Sequence, residues 1–276
     1  MKTLKHITLL AAALFFAATT CAQPIRLGTS NTYYELTGIA PNLTLNITGT
    51  GDMPDYANAG AAPWRSQRAD IKTVVIENGV TSISGYAFAF CTGLNSVDIP
   101  GSVGSIGTGA FELSGLTSVD IPSSVTTMGV VVFAGCIGLT AINVNAANPK
   151  YLSENGVLFN KDTTTLICCP AGKTGAYAIP NGVDSIGYGA FFGCGGLTGA
   201  LTIPDGVTYI GYNAFAYCSG FTGALTIPSS VTVIGEGAFW YCTGFTAIYN
   251  YCIAPLNIVY GIYDVLYDTD KSTCAL

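Results

Sequence analysis

Ile203-Pro204-Asp205-Gly206-Val207-Thr208-Tyr209-Ile210-Gly211-Tyr212-Asn213-Ala214-Phe215 is answered 24 residues on by Ile227-Pro228-Ser229-Ser230-Val231-Thr232-Val233-Ile234-Gly235-Glu236-Gly237-Ala238-Phe239. The opening dipeptide also recurs upstream as Ile99-Pro100, Ile121-Pro122 and Ile179-Pro180, with a Pro-free copy at Ile76-Glu77-Asn78-Gly79-Val80. The anchoring Ile positions 76, 99 and 121 step by 23 and 22, and those at 179, 203 and 227 step by 24 and 24. A fixed period of roughly 20–50 residues marks a solenoid, in which one short unit stacks on the next.

Each copy has a physical reading. Leu94-Asn95-Ser96-Val97-Asp98-Ile99 is a short strand, with Val97 and Ile99 on one face and Asp98 on the other. Pro100 has no N–H and ends it. Val103 and Ile106 turn inward as a second rung, Gly107 allows the bend, and Ala110-Phe111 form a third rung. The same places are held by Ile186, Ala190 and Phe191, by Ile210, Ala214 and Phe215, and by Ile234, Ala238 and Phe239. One copy alone cannot bury this set. Stacking does so, at ~1.5–3 kcal/mol per large apolar side chain, and stability then comes from interfaces between neighbours along a line. Leu, Val and Ile at set places in a period of roughly 20–29 residues predict a leucine-rich-repeat solenoid. We expect the right-handed β/α superhelix type, β-rich, with short irregular or 3-10 return segments.

The pattern breaks once. After Ile142-Asn143-Val144 the next Ile-Pro comes at 179, 37 residues on from Ile142. Val157-Leu158-Phe159 and Thr165-Leu166-Ile167 flank Lys161-Asp162, which predicts an inserted β-hairpin at about 145–178, projecting from one edge. Before the repeats, Leu43-Thr44-Leu45-Asn46-Ile47-Thr48-Gly49 alternates strictly. With Met53-Pro54-Asp55-Tyr56 and Pro63-Trp64 it predicts an N-terminal β cap over 23–70, covering the open end of a repeat region at 71–276.

The head of the chain sets its compartment. Lys2 and Lys5 precede an apolar run from Ile7 to Ala18, and Thr20-Cys21-Ala22 offers a small-residue exit. This is the form of a secretory signal peptide over 1–22. An outer-membrane lipoprotein anchored at Cys21 is the alternative. The apolar run is shorter than the roughly 20 residues of a membrane span. Cleavage after Ala22 removes the single histidine, His6, and leaves 8 bases against 16 acids, a net charge of −8. That balance disfavours nucleic acid and anionic lipid as partners. Without histidine, a Ser-His-Asp triad and a His-ligated zinc site are excluded. No P-loop or dinucleotide fingerprint is present, and no cofactor is expected.

The run Ile-Pro-x-x-Val-x-x-Ile-Gly-x-x-Ala-Phe-x-x-Cys-x-Gly-Leu-Thr resembles the BspA-like leucine-rich repeat family over roughly residues 40–276. The resemblance implies secreted bacterial surface proteins associated with adhesion to host matrix proteins, aggregation with other bacteria and engagement of innate immune receptors. It supplies no catalytic residues. It also implies a truncated C-terminal cap, since the sequence stops at Asp270-Lys271-Ser272-Thr273-Cys274-Ala275-Leu276, where relatives continue through one more strand and a closing cap.

Cys91, Cys136, Cys194, Cys218 and Cys242 take one seat in successive copies, with Ser114 replacing one, and read as a column of small buried side chains. Outward strand positions give the candidate ligand-binding residues Asp98, Asp120, Asn143, Thr202, Thr226 and Tyr249. Tyr188 and Tyr212 follow the Ile-Gly bend, and Trp240 lies beside an inward Phe. These aromatic candidates offer contact area at low entropy cost. The expected function is non-covalent binding or adhesion, to an extracellular protein or a glycan. The alternatives are a stalk presenting another domain, and a secreted hydrolase using Asp98 and Asp120 as paired carboxylates.

Overall fold

The computed structural model describes residues 23–251 and the strand Asn257–Ile258. The segments expected to form the signal peptide and the C-terminal cap, with Cys21, fall outside the described residues. The rest is a β-rich solenoid of about 8 turns.

Two parallel ladders run along its first half. Strand Thr32–Ile39 pairs antiparallel with Asn42–Gly49, which in turn pairs parallel with Ile71–Ile76, and that with Ser96–Asp98. The cap hairpin therefore covers the open end by donating its second strand to the first coil. Leu45 and Ile47 continue the core into the cap and are fully buried. The second ladder joins Gly51–Asp52, Val80–Ile83, Ser105–Ile106 and Thr127–Met128, all parallel. Val80–Ile83 and Ser105–Ile106 lie in the Val-x-x-Ile segments of the sequence pattern, and Thr127–Met128 ends the variant Val125-Thr126-Thr127-Met128.

Among the described residues there is no helix, so the β/α form of the expected superhelix reduces to its β part. The physical reason lies in the Ala-Phe corner. The residue before the Ala seat (Tyr86, Gly109, Val131, Gly189, Asn213, Gly237; the seat is Val132 in one coil) has a positive φ in every such coil, and so does the residue before Cys or Ser (Phe90, Leu113, Gly135, Gly193, Tyr217, Tyr241). Their φ values lie between 51 and 79°. Two left-handed residues four apart close a corner that no helix can follow. Neighbouring corners bond to each other: the Phe88 amide donates to the Ala110 carbonyl (2.8 Å), and the Phe215 amide to the Ala238 carbonyl (2.7 Å). Gly107 serves this packing rather than the bend itself, since a Cβ there would strike the backbone of Gly85 in the preceding coil.

The inward Phe residues stack face to face. Phe88 lies 5.2 Å from Phe111, and Phe111 lies 5.6 Å from Phe133. In the second half Phe191 lies 4.8 Å from Phe215, and Phe215 lies 5.3 Å from Phe239. Trp64, read from sequence as part of the cap, starts the first column by stacking on Phe88.

The two columns are separated by the insert, and here the expectation of a projecting hairpin is corrected. The hairpin exists: Val157–Asn160 pairs antiparallel with Thr165–Cys168. But Thr165–Cys168 also pairs parallel with Ser185–Ile186 and heads a ladder running on through Tyr209–Ile210, Val233–Ile234 and Asn257–Ile258. Val157, Leu158 and Phe159 are all fully buried. Leu158 belongs to the first core, and Val157 and Phe159 belong to the second. Alternating side chains thus feed two cores from one strand, and the hairpin is a rung of the solenoid. The Cys169 amide donates to the Ala190 carbonyl (2.7 Å), as the Phe191 amide does to the Ala214 carbonyl (2.6 Å). Cys169 therefore sits in the seat that Phe fills elsewhere, which interrupts the aromatic column.

Candidate functional site

The outward residues of the repeat strands pair in two groups, one before the insert and one after it. Asn143 stands opposite Asp120 in a parallel pair, and its amide Nδ2 donates to the Asp120 carboxylate at 2.8 Å. Asp98 pairs with Val75. Further along, Thr202 bridges to Thr226, and Thr226 stands opposite Tyr249. All six sequence candidates on these strands are exposed. The alternation that buries Val119, Ile121 and Ile142 dictates this placement.

Two open clefts lie on this face. One of about 390 Å³ is lined by Asp120, Asn143 and Asn145 together with the Ile121-Pro122 turn. The other, about 720 Å³, is lined by Thr202, Asp205, Thr226, Ser229 and Tyr251. Tyr251 was missed by the sequence reading. Its signal was the two-residue alternation Tyr249-Asn250-Tyr251, which puts both rings on one face. Tyr249 is 48% exposed and Tyr251 is 61% exposed.

The remaining candidates do not join these groups. Tyr188 packs on Tyr209 beside the second ladder, with centroids 6.3 Å apart. Burial, and then the Tyr188 hydroxyl, push the Tyr209 phenol up to about 12. Tyr212 is exposed at the next Ile-Gly bend. Trp240 is half-buried in a separate cluster, 5.7 Å from Tyr217 and 5.1 Å from Tyr241. Tyr217 and Tyr241 are almost parallel at 5.0 Å, and Phe192 meets Tyr217 edge-on. No ring contact links these two aromatic groups among the described residues.

The described cysteines are free and buried. Three of them bond to the preceding coil. The Cys136, Cys218 and Cys242 thiols donate to the carbonyls of Phe111, Phe191 and Phe215 one coil back, each at 3.0 Å. Burial pushes the Cys91 thiol up to about 12, against a partial lowering by Arg68, and pushes Cys136 up to about 11. No group of three or more His, Cys, Asp or Glu is placed to hold a metal ion among the described residues. No helix there is long and apolar enough to cross a membrane.

Stacked short strands, an inward Phe column and a polar outward face define a leucine-rich-repeat protein. The chain belongs to the BspA type leucine-rich repeat family, whose repeat region matches residues 66–164 and 172–252 in 6 copies. Among solved structures, it is similar to a leucine-rich repeat protein from Eubacterium ventriosum, at 28% identity and a TM-score of 0.56, covering 83% of this chain and 72% of that one. It is also similar to a leucine rich cell surface protein from Faecalibacterium prausnitzii, at 31% identity and a TM-score of 0.57, covering 66% of this chain and 54% of that one. The pneumococcal vaccine antigen PcpA shares the fold, at 19% identity and a TM-score of 0.58, covering 84% of this chain and 78% of that one. No curated protein matches the chain.

Proposed function

We propose that the mature chain is a secreted or cell-surface repeat protein that binds an extracellular macromolecule non-covalently through its outward strand face, as an adhesin does. The observation that carries this reading is the outward set Asp98, Asp120, Asn143, Thr202, Thr226 and Tyr249. All six are exposed, strand pairing holds Asn143 opposite Asp120 and Thr226 beside Thr202 and Tyr249, and two clefts accompany them. Sites placed on rigid strands keep their geometry on binding, which lowers the ordering cost of association. The basic, apolar and small-residue order of residues 1–22 supports export. The F. prausnitzii relative, described as a cell surface protein, supports a surface location.

The hydrolase alternative is weaker. It needs one carboxylate whose proton affinity is raised by its surroundings. The Asp120 carboxylate is exposed and accepts the Asn143 amide on an open face. We therefore read this face as contacting a ligand, not transforming it.

Immobilised extracellular-matrix proteins provide the test, with the chain from residue 23 onward as analyte. Saturable binding that falls at least tenfold in the Asp120→Arg, Thr202→Arg double variant is expected. Equal binding by that variant, with unchanged circular dichroism, would remove the strand face from the account.

A further inference from the structure

We propose that the C-terminal part of the strand face is a subsite for a neutral oligosaccharide. The inference rests on the reading of this face as a binding surface, and it names the ligand class for one part of it.

The cleft of about 720 Å³ falls within the roughly 300–1,000 Å³ of small-ligand sites. Ala200 and Ala224 stand where larger side chains would fill it. Thr202 and Thr226 bring hydroxyls from two adjoining rungs. Asp205 and Ser229, one from each Ile-Pro turn of the same two coils, add a carboxylate and a third hydroxyl. Tyr251 contributes an exposed ring.

This set matches the chemistry of a sugar. A pyranose has an apolar C–H face that packs on an aromatic ring, and hydroxyls around its edge that each need a donor and an acceptor. Thr and Ser hydroxyls supply both, and a carboxylate accepts from two hydroxyls at once. Hydrogen bonds to a charged acceptor are the stronger ones. The rungs are about 4.8 Å apart, comparable to the width of one pyranose, so successive sugar units would meet successive hydroxyls. Among the described residues Asp205 is the one carboxylate of the lining, and no Lys or Arg accompanies it. It therefore repels sulfated or uronic chains. Nor does the lining offer a deep apolar pocket of the kind that anchors a protein hot spot.

The test is isothermal titration of the chain from residue 23 onward with neutral tetrasaccharides built from glucose, mannose or N-acetylglucosamine. A sulfated tetrasaccharide serves as contrast. At least one neutral chain should bind saturably, and the sulfated one at least tenfold more weakly. Tyr251→Ala and Asp205→Asn should each cost tenfold or more, while Ile39→Ala, on the distant cap hairpin, should change nothing. Circular dichroism melts confirm that each variant folds. The proposal is overturned if no neutral tetrasaccharide saturates the folded chain at millimolar concentration. It is also overturned if binding survives in the Tyr251→Ala, Asp205→Asn double variant, or if the sulfated chain binds more tightly. Matrix-protein binding that persists alongside such a failure leaves the strand-face reading intact; loss of both removes both.

Discussion

Trp64 stacks on Phe88 with ring centroids 5.7 Å apart and planes 18° from parallel, while its indole Nε1 donates to the Ala87 carbonyl at 2.8 Å. Tyr34 and Tyr56 meet its ring edge-on from the cap side. One residue thus joins the cap to the aromatic column. Trp64→Ala should cost about 3–5 kcal/mol, read as a lowered denaturant midpoint. Trp64→Phe keeps the stack but leaves the buried carbonyl without its donor, so about 1–3 kcal/mol should be lost.

The strand Val157–Asn160 links two cores, and its side chains can be tested one face at a time. Leu158→Ala should cost about 2–5 kcal/mol and Phe159→Ala about 3–5 kcal/mol. Native-state hydrogen exchange should separate them. The first substitution accelerates exchange in the coils before the insert, and the second in the coils after it.

The repeat was legible in sequence because the Ile-Pro step recurs at 22 to 24 residues and the Ile, Ala and Phe seats recur with it. The insert was less so. Its hairpin partners were readable, but Val157-Leu158-Phe159 is a continuous apolar run, the mark of a strand buried on both faces. The partner on the second face, Ser185–Ile186, pairs across the chain and leaves no local trace. Cys169 takes a Phe seat without the Ala-Phe motif that flags it elsewhere. The outward set followed from alternation alone. The aromatic candidates did not, because whether Tyr188 or Trp240 faces a partner or its neighbours depends on packing between coils, as the contacts with Tyr209 and Tyr217 show.

Val131 holds a φ of 52°, a conformation that a β-branched residue reaches only at a cost. Asn213 fills the same seat in another coil with a φ of 51°. Val131→Asn should stabilise the chain by about 1 kcal/mol, seen as a higher Tm by differential scanning calorimetry.

The buried thiols set an alkaline limit. Cys136 and Cys91 ionise near 11 and 12 in the folded chain, against about 8.5 when unfolded. The unfolded state therefore releases its protons first as pH rises, and stability must fall between about pH 8.5 and 12. Below that window both states are protonated and these groups have no effect. Chemical unfolding at pH 8 and pH 10 should show the loss. At pH 8 iodoacetamide should leave Cys91 and Cys136 unmodified until the chain unfolds.

The account stands on coils stacked in register, so that outward residues of neighbours face the same way at one rung's spacing. Cross-linking reads this directly. In a chain from residue 23 onward carrying Thr202→Cys and Thr226→Cys, with Cys252→Ser and Cys274→Ser, a short bismaleimide should bridge the two sites in high yield, since the described native thiols are buried. A Thr202→Cys, Leu225→Cys control places the second thiol in the core and should give none. No bridging of the first pair, or equal bridging of both, would contradict the stacked column.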